Sequence, residues 1–309
     1  MAEVKLKRVN GVILGPIAEH PWESRAAFNP GAVLVNQEVH LLYRAVEGDN
    51  FSTIGYARLT PDGQLLYRHP EPVIRREQEQ EKQGAEDPRI VPFQEKYLVF
   101  YTGYNGQTVR VMMAETEDFL RFHKHGVVGP DHNDKDAMLF PETFGNRVAF
   151  LHRIEPSIQL AWFDDFQHFL HPEKEYWPTH LQQLEQHVVM HPEYSWEAEK
   201  IGAGPTPIHT EAGWLLIYHG VDRQLTYRAG AALLDEKDPT RVIARLPYPI
   251  LEPERDYEKI GDVNMVVFPE GAVVAENELY VFYGGADKVV GLAVCRLSDL
   301  IDELWRHRV

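Results

Sequence analysis

Five short apolar runs recur along the chain, and each ends in a tyrosine or a histidine. They are rich in β-branched and aromatic residues, which favour β-strands. The last residues of successive runs are 58, 51, 66 and 65 positions apart. The runs are Val39–Tyr43, Tyr97–Tyr101, Val148–His152, Trp214–Tyr218 and Leu279–Tyr283. This recurrence predicts repeats of one strand-containing unit.

A second predicted strand follows each run after a turn, and each of these second strands carries a small residue. Turn dipeptides such as Asp-Gly and Pro-Asp lie between the predicted strands. The second strands contain Ile54–Ala57, Val111–Ala114, Ile158–Ala161, Gly230–Leu233 and Gly291–Val294. Short strands in a unit of about 50 to 65 residues are typical of β-propeller blades.

The predicted fold is all-β: a five-bladed β-propeller with a short C-terminal helix, formed as one domain by residues 1–309. A β-sandwich with long loops is the alternative, but sandwiches lack such a recurrence. Helical periodicity is confined to Leu297–Arg308, with Ser298 as a candidate N-cap, and to a stretch near His180–His187.

Composition and charge limit the classes of function. The 309 residues include 31 Lys and Arg against 47 Asp and Glu, which gives a formal net charge of −16. Such a chain repels nucleic-acid phosphates and anionic membranes, which argues against general binding to either. The single cysteine, Cys295, excludes an internal disulfide framework and suits a reducing compartment. With no membrane-spanning apolar run and no secretory signal, we expect a cytoplasmic protein that handles a small ligand.

Charged residues cluster where predicted strands begin or end. Gly84–Arg89 places two carboxylates and an arginine directly before an apolar strand. Arg44, Arg153 and His219 each directly follow one of the five runs, so in a propeller they meet at one mouth of the channel. Any one of them alone reads equally well as a packing residue or a surface salt bridge. Together they repel one another unless an anion compensates them, which favours a phosphate or carboxylate ligand.

Two lysines and several aromatic residues lie near these clusters. Lys200 opens a Gly/Pro-rich segment that lets backbone approach a ligand but is not a phosphate-binding P-loop. Lys135 lies in a run of histidine and acidic residues whose spacing matches no zinc or calcium pattern, so we expect no metal. No motif supports a serine or cysteine nucleophile. The aromatic residues that suit either sugar stacking or the core are Tyr101, Tyr104, Tyr227, Phe268 and Tyr283.

Ten short motifs, in order along nearly the whole chain, resemble glycoside hydrolase family 130, which contains β-mannoside phosphorylases and related β-mannosidases. The motifs are Phe28–Ala32, Leu42–Ala45, Gly84–Arg89, Tyr101–Tyr104, Asp136–Glu142, Leu151–Arg153, Lys200–Pro205, Tyr218–Val221, Gly230–Asp235 and Val267–Gly271. The resemblance implies a five-bladed β-propeller, in agreement with the repeat.

The resemblance also implies a reaction. In the family's phosphorylases, inorganic phosphate attacks the anomeric carbon of a terminal β-mannoside with inversion, and the products are α-mannose 1-phosphate and a shortened acceptor. Ordinary inverting hydrolysis instead needs a second carboxylate to activate water. Phosphate is therefore the co-substrate, and no other cofactor is implied. The phosphate site would comprise Arg153, Lys200, His219, Tyr227 and Lys135, the last where many members have arginine. The mannose site would comprise Asn29, Arg44, Tyr104, Asp87, Phe268 and Asp287.

One position departs from the expected pattern. By the resemblance, the catalytic aspartate follows the second tyrosine of a Tyr-Thr-x-Tyr-Asp-Gly motif, where this chain has Asn105. An asparagine cannot donate a proton as a general acid. Three explanations stay open: an Asp→Asn change made to trap substrate, a different acid such as Asp87 or Glu86, or a protein that is slow or only binds sugar.

The predicted function is β-mannoside phosphorolysis on β-1,2- or β-1,4-linked mannobiose or mannooligosaccharides. A β-mannosidase with Glu270 as the base that activates water is the second hypothesis, and a silent sugar-binding propeller is the third. Pro21–Arg25 resembles members that act on β-1,2-mannosides, while β-1,4-mannosides stay open. A homo-oligomer also stays open, because long loops serve interfaces or substrate equally well.

Overall fold

The computed structural model describes residues 3–9 and 11–309, and this part of the chain is mainly β-structure with a few short helices. The strands are β1 (Lys7–Arg8), β2 (Ala26–Val35), β3 (Glu38–Val46), β4 (Ser52–Leu59), β5 (Leu65–Arg68), β6 (Gly84–Phe93), β7 (Lys96–Tyr104), β8 (Val109–Thr116), β9 (His123–Val127), β10 (Lys135–Leu139), β11 (Val148–Arg153), β12 (Ile158–Phe163), β13 (Val188–Met190), β14 (Lys200–Ala203), β15 (Ile208–Thr210), β16 (Gly213–Val221), β17 (Tyr227–Leu234), β18 (Val242–Arg245), β19 (Val267–Ala275), β20 (Glu278–Gly285) and β21 (Val289–Arg296). The α-helices are α1 (Phe166–Leu170), α2 (Tyr176–Gln182), α3 (Asp256–Lys259) and α4 (Leu297–Arg306), and the 3₁₀ turns are Pro21–Glu23, Glu79–Glu81, Leu184–His187 and Ser195–Glu197.

The strands pair as five antiparallel units in chain order. Units 1, 2 and 3 are β2–β5, β6–β9 and β10–β13, and unit 4 is β14–β18. Unit 5 consists of β19, β20 and β21, and β1 from the start of the chain pairs with β21. One parallel residue pair, Ser52 with Gly84, joins units 1 and 2. The predicted five runs lie in β3, β7, β11, β16 and β20, so the repeat in the sequence corresponds to a repeat in the structure.

A buried tyrosine, a carboxylate and a cation recur at the same place in the units. In unit 1 the Tyr43 hydroxyl donates a hydrogen bond to Glu23 at 2.8 Å, and Arg68 pairs with the same carboxylate. Glu23 comes from the turn before the unit and Arg68 from its last strand, so the three residues tie the edge strand to the preceding loop. The equivalent sets are Tyr101, Glu81 and Lys124; Tyr218, Glu197 and Arg245; and Tyr283, Glu258 and Arg8.

These sets explain why each run ends in a tyrosine or a histidine and why the next strand carries a small residue. The terminal tyrosine of each run supplies the hydroxyl that a buried carboxylate requires. The small residue of the next strand makes room for the ring: a Cβ atom on Gly55 would lie 2.4 Å from the Tyr43 ring. In unit 3, His152 takes the tyrosine's place and is hydrogen bonded to Asp134 at 2.9 Å and to His180 at 3.0 Å.

The structure confirms the C-terminal helix but corrects its ends. Helix α4 spans Leu297–Arg306 rather than reaching Arg308, and it packs on β17, β18 and β21 through buried Leu300 and Leu304. Arg296 is the N-cap residue, so Ser298 is wrong as the N-cap; its hydroxyl accepts a hydrogen bond from Asn277 instead. Around His180–His187 the structure has α2 and a separate 3₁₀ turn instead of one helix.

Within residues 3–9 and 11–309, no helix combines the length and apolar character needed to cross a bilayer.

Candidate active site

A cavity of about 480 Å³ receives side chains from all five units. Ten of the twelve residues predicted for the site line it. They are Asn29, Arg44, Asp87, Lys135, Arg153, Lys200, His219, Tyr227, Phe268 and Asp287. Residues far apart in the sequence therefore meet because equivalent strand ends of different units face one space.

Bulges in the first strands of four units direct polar residues toward the centre. Each bulge lies between two register pairs of an antiparallel ladder, at Asn29, Asp87, Asp136 and Glu270. Asn29, Asp87 and Asp136 have left-handed backbones with φ of 46°, 55° and 51°. A bulge re-aims a side chain that regular pleating would point elsewhere, and bulges are frequent next to active sites. The bulges thus bring Asn29, Asp87 and Asp136 into the cavity lining.

Asp87 is buried at the cavity floor among hydrogen-bond donors and cations. Its Oδ1 accepts a hydrogen bond from Asn29 at 2.9 Å and lies 3.5 Å from Arg44. Its Oδ2 lies 3.9 Å from the ammonium nitrogen of Lys135. Burial works to raise the pKa of Asp87, but Arg44, Lys135 and the Asn29 hydrogen bond outweigh it and hold that pKa below its usual range.

Asp136 is the centre of a buried ion-pair network that the sequence analysis did not select. Arg153 donates to it at 2.8 Å and Arg89 at 3.0 Å, and His219 Nε2 lies 3.7 Å away. Burial opposes ionisation, yet the charges of Arg153 and Arg89 hold the pKa of Asp136 far below its ordinary value. In the sequence Asp136 precedes an apolar segment, as Asp87 does. This similarity is the signal from which Asp136 could have been predicted as a site residue.

The cations predicted for phosphate lie on one wall of the cavity. Lys135 and Arg153 are direct cross-strand neighbours on β10 and β11. Arg153 and Lys200 both donate to one oxygen of Glu155, at 2.5 Å and 2.7 Å. Glu155 also lines the cavity and was not among the predicted residues.

His219 and two aromatic rings complete this wall. Burial lowers the pKa of His219 to about 3, with Asp136 opposing the change, so the imidazole is neutral. Its Nδ1 finds no hydrogen-bond partner among the described residues. The Phe268 ring lies 4.4 Å from the imidazole and the Tyr227 ring 6.0 Å from it.

Gly202 gives His219 and Asp136 the room to approach each other. A Cβ atom at this position would lie 2.4 Å from Asp136 Oδ2 and 2.4 Å from His219 Cε1. The Gly/Pro-rich segment after Lys200 was predicted to let the backbone approach a ligand. At Gly202 it instead lets the side chains of Asp136 and His219 come close to the backbone.

Asp287 also lines the cavity. It follows Ala286 in a tight turn where both residues have left-handed backbones, with φ of 51° and 46°. Burial raises the pKa of Asp287 to about 6; Arg44 opposes the shift and the negative charge of Asp87 adds to it. Of the four carboxyl groups that line the cavity, Asp87, Asp136 and Glu155 have a lowered pKa, and Asp287 has a raised one.

The structure does not bring Tyr104 and Asn105 to this cavity. Asn105 lies at the tip of the β7–β8 hairpin, where its side-chain oxygen accepts hydrogen bonds from the backbone of Gln107 and Thr108 at 2.9 Å and 2.8 Å. This is turn chemistry. The Asn105 side chain therefore serves its own turn and lies outside the cavity lining.

The remaining candidates are structural in their contacts. Glu86 pairs with Arg44 at 2.8 Å, and Glu270 lies fully buried 3.0 Å from Arg89, outside the cavity lining. Burial raises the pKa of Glu270 well above its ordinary value. Tyr101 and Tyr283 belong to the buried tyrosine sets and are core residues rather than sugar platforms.

Several residues of the cavity wall were not predicted from the sequence. His132, Asn133, Val109, Val263 and Val266 line it together with the predicted residues. The Asn133 side chain accepts a hydrogen bond from the backbone of Val109 at 3.1 Å. These residues come from loops or strand ends with no motif, so no sequence signal distinguished them.

Comparison with known proteins gives consistent matches over nearly the whole chain. Residues 6–306 match the family described as beta-1,4-mannooligosaccharide phosphorylase. The chain is 39% identical to a 1,2-beta-oligomannan phosphorylase of Thermoanaerobacter sp. (strain X514), over 96% of this chain and 99% of that protein. It is 40% identical to a beta-1,2-mannobiose phosphorylase of the same organism, over 92% and 95%. The solved beta-1,2-mannobiose phosphorylase from Listeria innocua, in complex with beta-1,2-mannobiose, superposes with a TM-score of 0.83 at 25% identity, over 98% and 99%.

Proposed function

The chain belongs to glycoside hydrolase family 130 and is a β-mannoside phosphorylase, and on this premise we propose that it acts on β-1,2-linked mannosides with Asp87 as the general acid. The linkage follows the two relatives of 39% and 40% identity, both named for β-1,2-linked mannosides. A relative named for β-1,4-mannooligosaccharides is 31% identical over 72% of the chain. The β-1,2 linkage is therefore the better supported choice.

We propose that the five units are the blades of one propeller domain over residues 1–309. The contacts between first strands support it: β2 packs on β19 and β6, and β10 packs on β6 and β14. Pairing of β1 with β21 makes unit 5 four-stranded, like units 1, 2 and 3. In this arrangement the cavity is the mouth of the central channel.

The observation that carries the reaction is the presence of two groups of contacts in one cavity. Asp87 contacts Asn29 and Arg44, and we take this group as the acid side. Arg153 and Lys200 share Glu155, Arg153 and His219 share Asp136, and we take this group as the cation side. Inversion requires the nucleophile and the leaving group to be on opposite faces of the sugar. A mannosyl unit between the two sides would therefore meet phosphate on one face and the proton donor on the other.

Each group then has a task that its chemistry permits. Arg153 supplies a guanidinium fork, while Lys200 and Lys135 supply point charges, and neutral His219 and Tyr227 supply further hydrogen bonds for phosphate. Asn29, Arg44, Phe268 and Asp287 contact the mannosyl unit. A phosphate oxygen forms the bond to the anomeric carbon while the bond to the leaving oxygen breaks and takes the proton of Asp87, directly or through a sugar hydroxyl. Because the surrounding cations lower the pKa of Asp87 in the empty cavity, bound phosphate must first offset these cations so that Asp87 can carry the proton. The products are α-mannose 1-phosphate and the shortened acceptor, and Asp87 regains a proton from solvent.

Asp87 replaces Asn105 as the proposed catalytic position because of where the two side chains lie. Asp87 is a carboxyl group within the cavity, whereas the Asn105 side chain is used by its own turn. The placement of Glu270 gives little support to hydrolysis, since its carboxyl group is buried against Arg89 and does not face the cavity. Neither a trapping substitution nor a silent binding protein is needed to explain Asn105.

A product assay tests this function. The protein is incubated with β-1,2- and β-1,4-mannobiose, with and without phosphate, together with Asp87→Asn and Asn105→Asp variants. We expect mannose 1-phosphate only with phosphate, faster with the β-1,2 disaccharide. Loss of a general acid costs about 10²–10⁴-fold, so Asp87→Asn should lose activity on this scale while Asn105→Asp keeps it. Free mannose formed at the same rate without phosphate would contradict phosphorolysis, and an unaffected Asp87→Asn enzyme would contradict the acid assignment.

A further inference from the structure

A carboxylate of the chain itself occupies the cation wall of the cavity. One oxygen of Glu155 accepts hydrogen bonds from Arg153 at 2.5 Å and from Lys200 at 2.7 Å. We propose that Glu155 is a built-in counter-anion of the phosphate site, which incoming phosphate must displace, and that it thereby limits the affinity of the enzyme for phosphate. This inference rests on the phosphate site of the proposed function.

The contacts of Glu155 suit displacement. Its side chain is 58% exposed, and in the described part of the chain its carboxylate contacts only these two cations. Partial burial works to raise the pKa of Glu155, but the Lys200 hydrogen bond and the Arg153 charge outweigh it and keep the group ionised at neutral pH. The carboxylate is therefore charged, loosely enclosed and free to rotate into solvent.

The other carboxylate on Arg153 has the opposite character. Asp136 is 3% exposed and pairs with Arg89 as well as with the Nε atom of Arg153. Its removal would take one carboxylate partner from two buried cations, Arg89 and Arg153, which is strongly destabilising. Asp136 thus holds the Arg153 guanidinium through its Nε atom, while the Nη1 atom of the same group donates to Glu155.

The charge balance explains why such a group is useful. Arg153, Lys200 and Lys135 repel one another in the empty cavity, and Glu155 offsets part of this repulsion. Phosphate gains the contacts of the two cations only after the contacts of Glu155 are lost. The net affinity is therefore lower than the cation cluster alone would provide, which favours release of phosphorylated product.

Direct binding of phosphate tests the proposal. Isothermal titration calorimetry with inorganic phosphate, and with sulfate as an anion that does not titrate near neutral pH, is carried out on the full chain and on Glu155→Gln. Exposed ion pairs are worth up to about 1 kcal/mol each, so we expect the Kd of Glu155→Gln to fall by about three- to tenfold for both anions. Structural damage would raise the Kd, so the direction of the change is diagnostic.

The matched control is Glu142→Gln, which removes the same charge from an equally exposed glutamate. Glu142 is 56% exposed, pairs with His209 and does not line the cavity. We expect its Kd for phosphate to equal that of the unaltered chain. An equal fall in both variants would assign the effect to net charge and overturn the proposal, as would an unchanged or higher Kd in Glu155→Gln.

Turnover separates this proposal from the proposed function. If the function holds, the KM for phosphate falls in Glu155→Gln in parallel with the Kd. If the unaltered chain forms no mannose 1-phosphate, the function fails while the calorimetric result still decides the role of Glu155. Loss of phosphate-independent mannose release in Glu155→Gln would identify it as a hydrolytic base and overturn the counter-anion role.

Discussion

The ammonium nitrogen of Lys135 lies 3.9 Å from Oδ2 of Asp87, while Arg153 is the cross-strand neighbour of Lys135. One cation therefore faces both the proposed acid and the proposed phosphate wall. This position couples the charge of the phosphate site to the protonation of Asp87, because Lys135 stabilises the ionised carboxylate.

Removal of Lys135 should move the alkaline limit of activity. A general acid works only while protonated, and Lys135 contributes to the lowered pKa of Asp87. In Lys135→Met the pKa of Asp87 should rise. At saturating phosphate, the decline of kcat/KM for mannobiose with increasing pH should therefore begin at a higher pH. The pH–rate profile measures this. Lys82→Met, a change at an exposed lysine paired with Glu79, serves as control and should leave the limb in place. A shift to lower pH in Lys135→Met would exclude the coupling.

A methyl group at Gly202 should damage the phosphate wall. In Gly202→Ala the new Cβ would overlap Asp136 and His219, each 2.4 Å away. Overpacking of this kind costs about 1–3 kcal/mol, so we expect a severalfold or larger rise in the Kd for phosphate, read by calorimetry. Gly48→Ala, where no atom lies within 4 Å of the added Cβ, should bind phosphate normally. Equal binding by both variants would show that the close approach is unimportant.

Asp287 should reduce stability as the pH rises. Its pKa of about 6 lies above the ordinary 3.8, so the folded state binds this proton more tightly than the unfolded state. The stabilisation is complete below the unfolded pKa and is lost as the pH passes through 6. Asp287→Asn stays neutral and should therefore gain on the order of 1–2 kcal/mol over the unaltered chain at pH 8, after allowance for solvent screening, and less at pH 5. Urea unfolding at the two pH values measures the difference, and a gain that is the same at both would refute the assignment.

The buried tyrosine sets should be important for folding stability. Tyr218→Phe removes the hydroxyl that donates to Glu197 at 2.9 Å and leaves a buried carboxylate oxygen without this partner. We expect a loss of about 1–3 kcal/mol in the free energy of unfolding. Tyr67→Phe, at a tyrosine that is 37% exposed, should change it by less than about 0.5 kcal/mol. Similar losses in the two variants would mean that the set contributes nothing special.

The repeat was readable from the sequence because it depends on local residue types, whereas the resemblance to the family named most of the residues that line the cavity. Tyrosines that end apolar runs, and glycines opposite them such as Gly55, recur with a period that can be seen without knowledge of the fold. The basic residues that follow the runs, including Arg153 and His219, occupy equivalent strand ends. Their convergence followed from the repeat alone.

The rest depends on backbone geometry and long-range pairing. Asp136 enters the site because it lies at a bulge of β10, and Glu155 enters because it pairs with both Arg153 of unit 3 and Lys200 of unit 4. Neither relation is written in local residue types. Asn105 illustrates the reverse: Asn-Gly is a strong turn signal, and the Asn105–Gly106 pair does form a turn, with φ of 97° at the glycine. The resemblance to the family had placed Asn105, a residue of this turn, at the position of the general acid.

The pairing of β1 with β21 has a consequence for the order in which the chain folds. Arg8 contacts Glu258, 250 positions later, and β1 has no partner strand until β21 has been synthesised. Units 1 to 4 consist of consecutive segments and can form as they emerge, whereas unit 5 cannot. Closing so long a loop is slow, because its entropy is lost before the contacts form. During synthesis β1 therefore presents an unpaired strand edge, and a late folding step joins it to the last strand of unit 5.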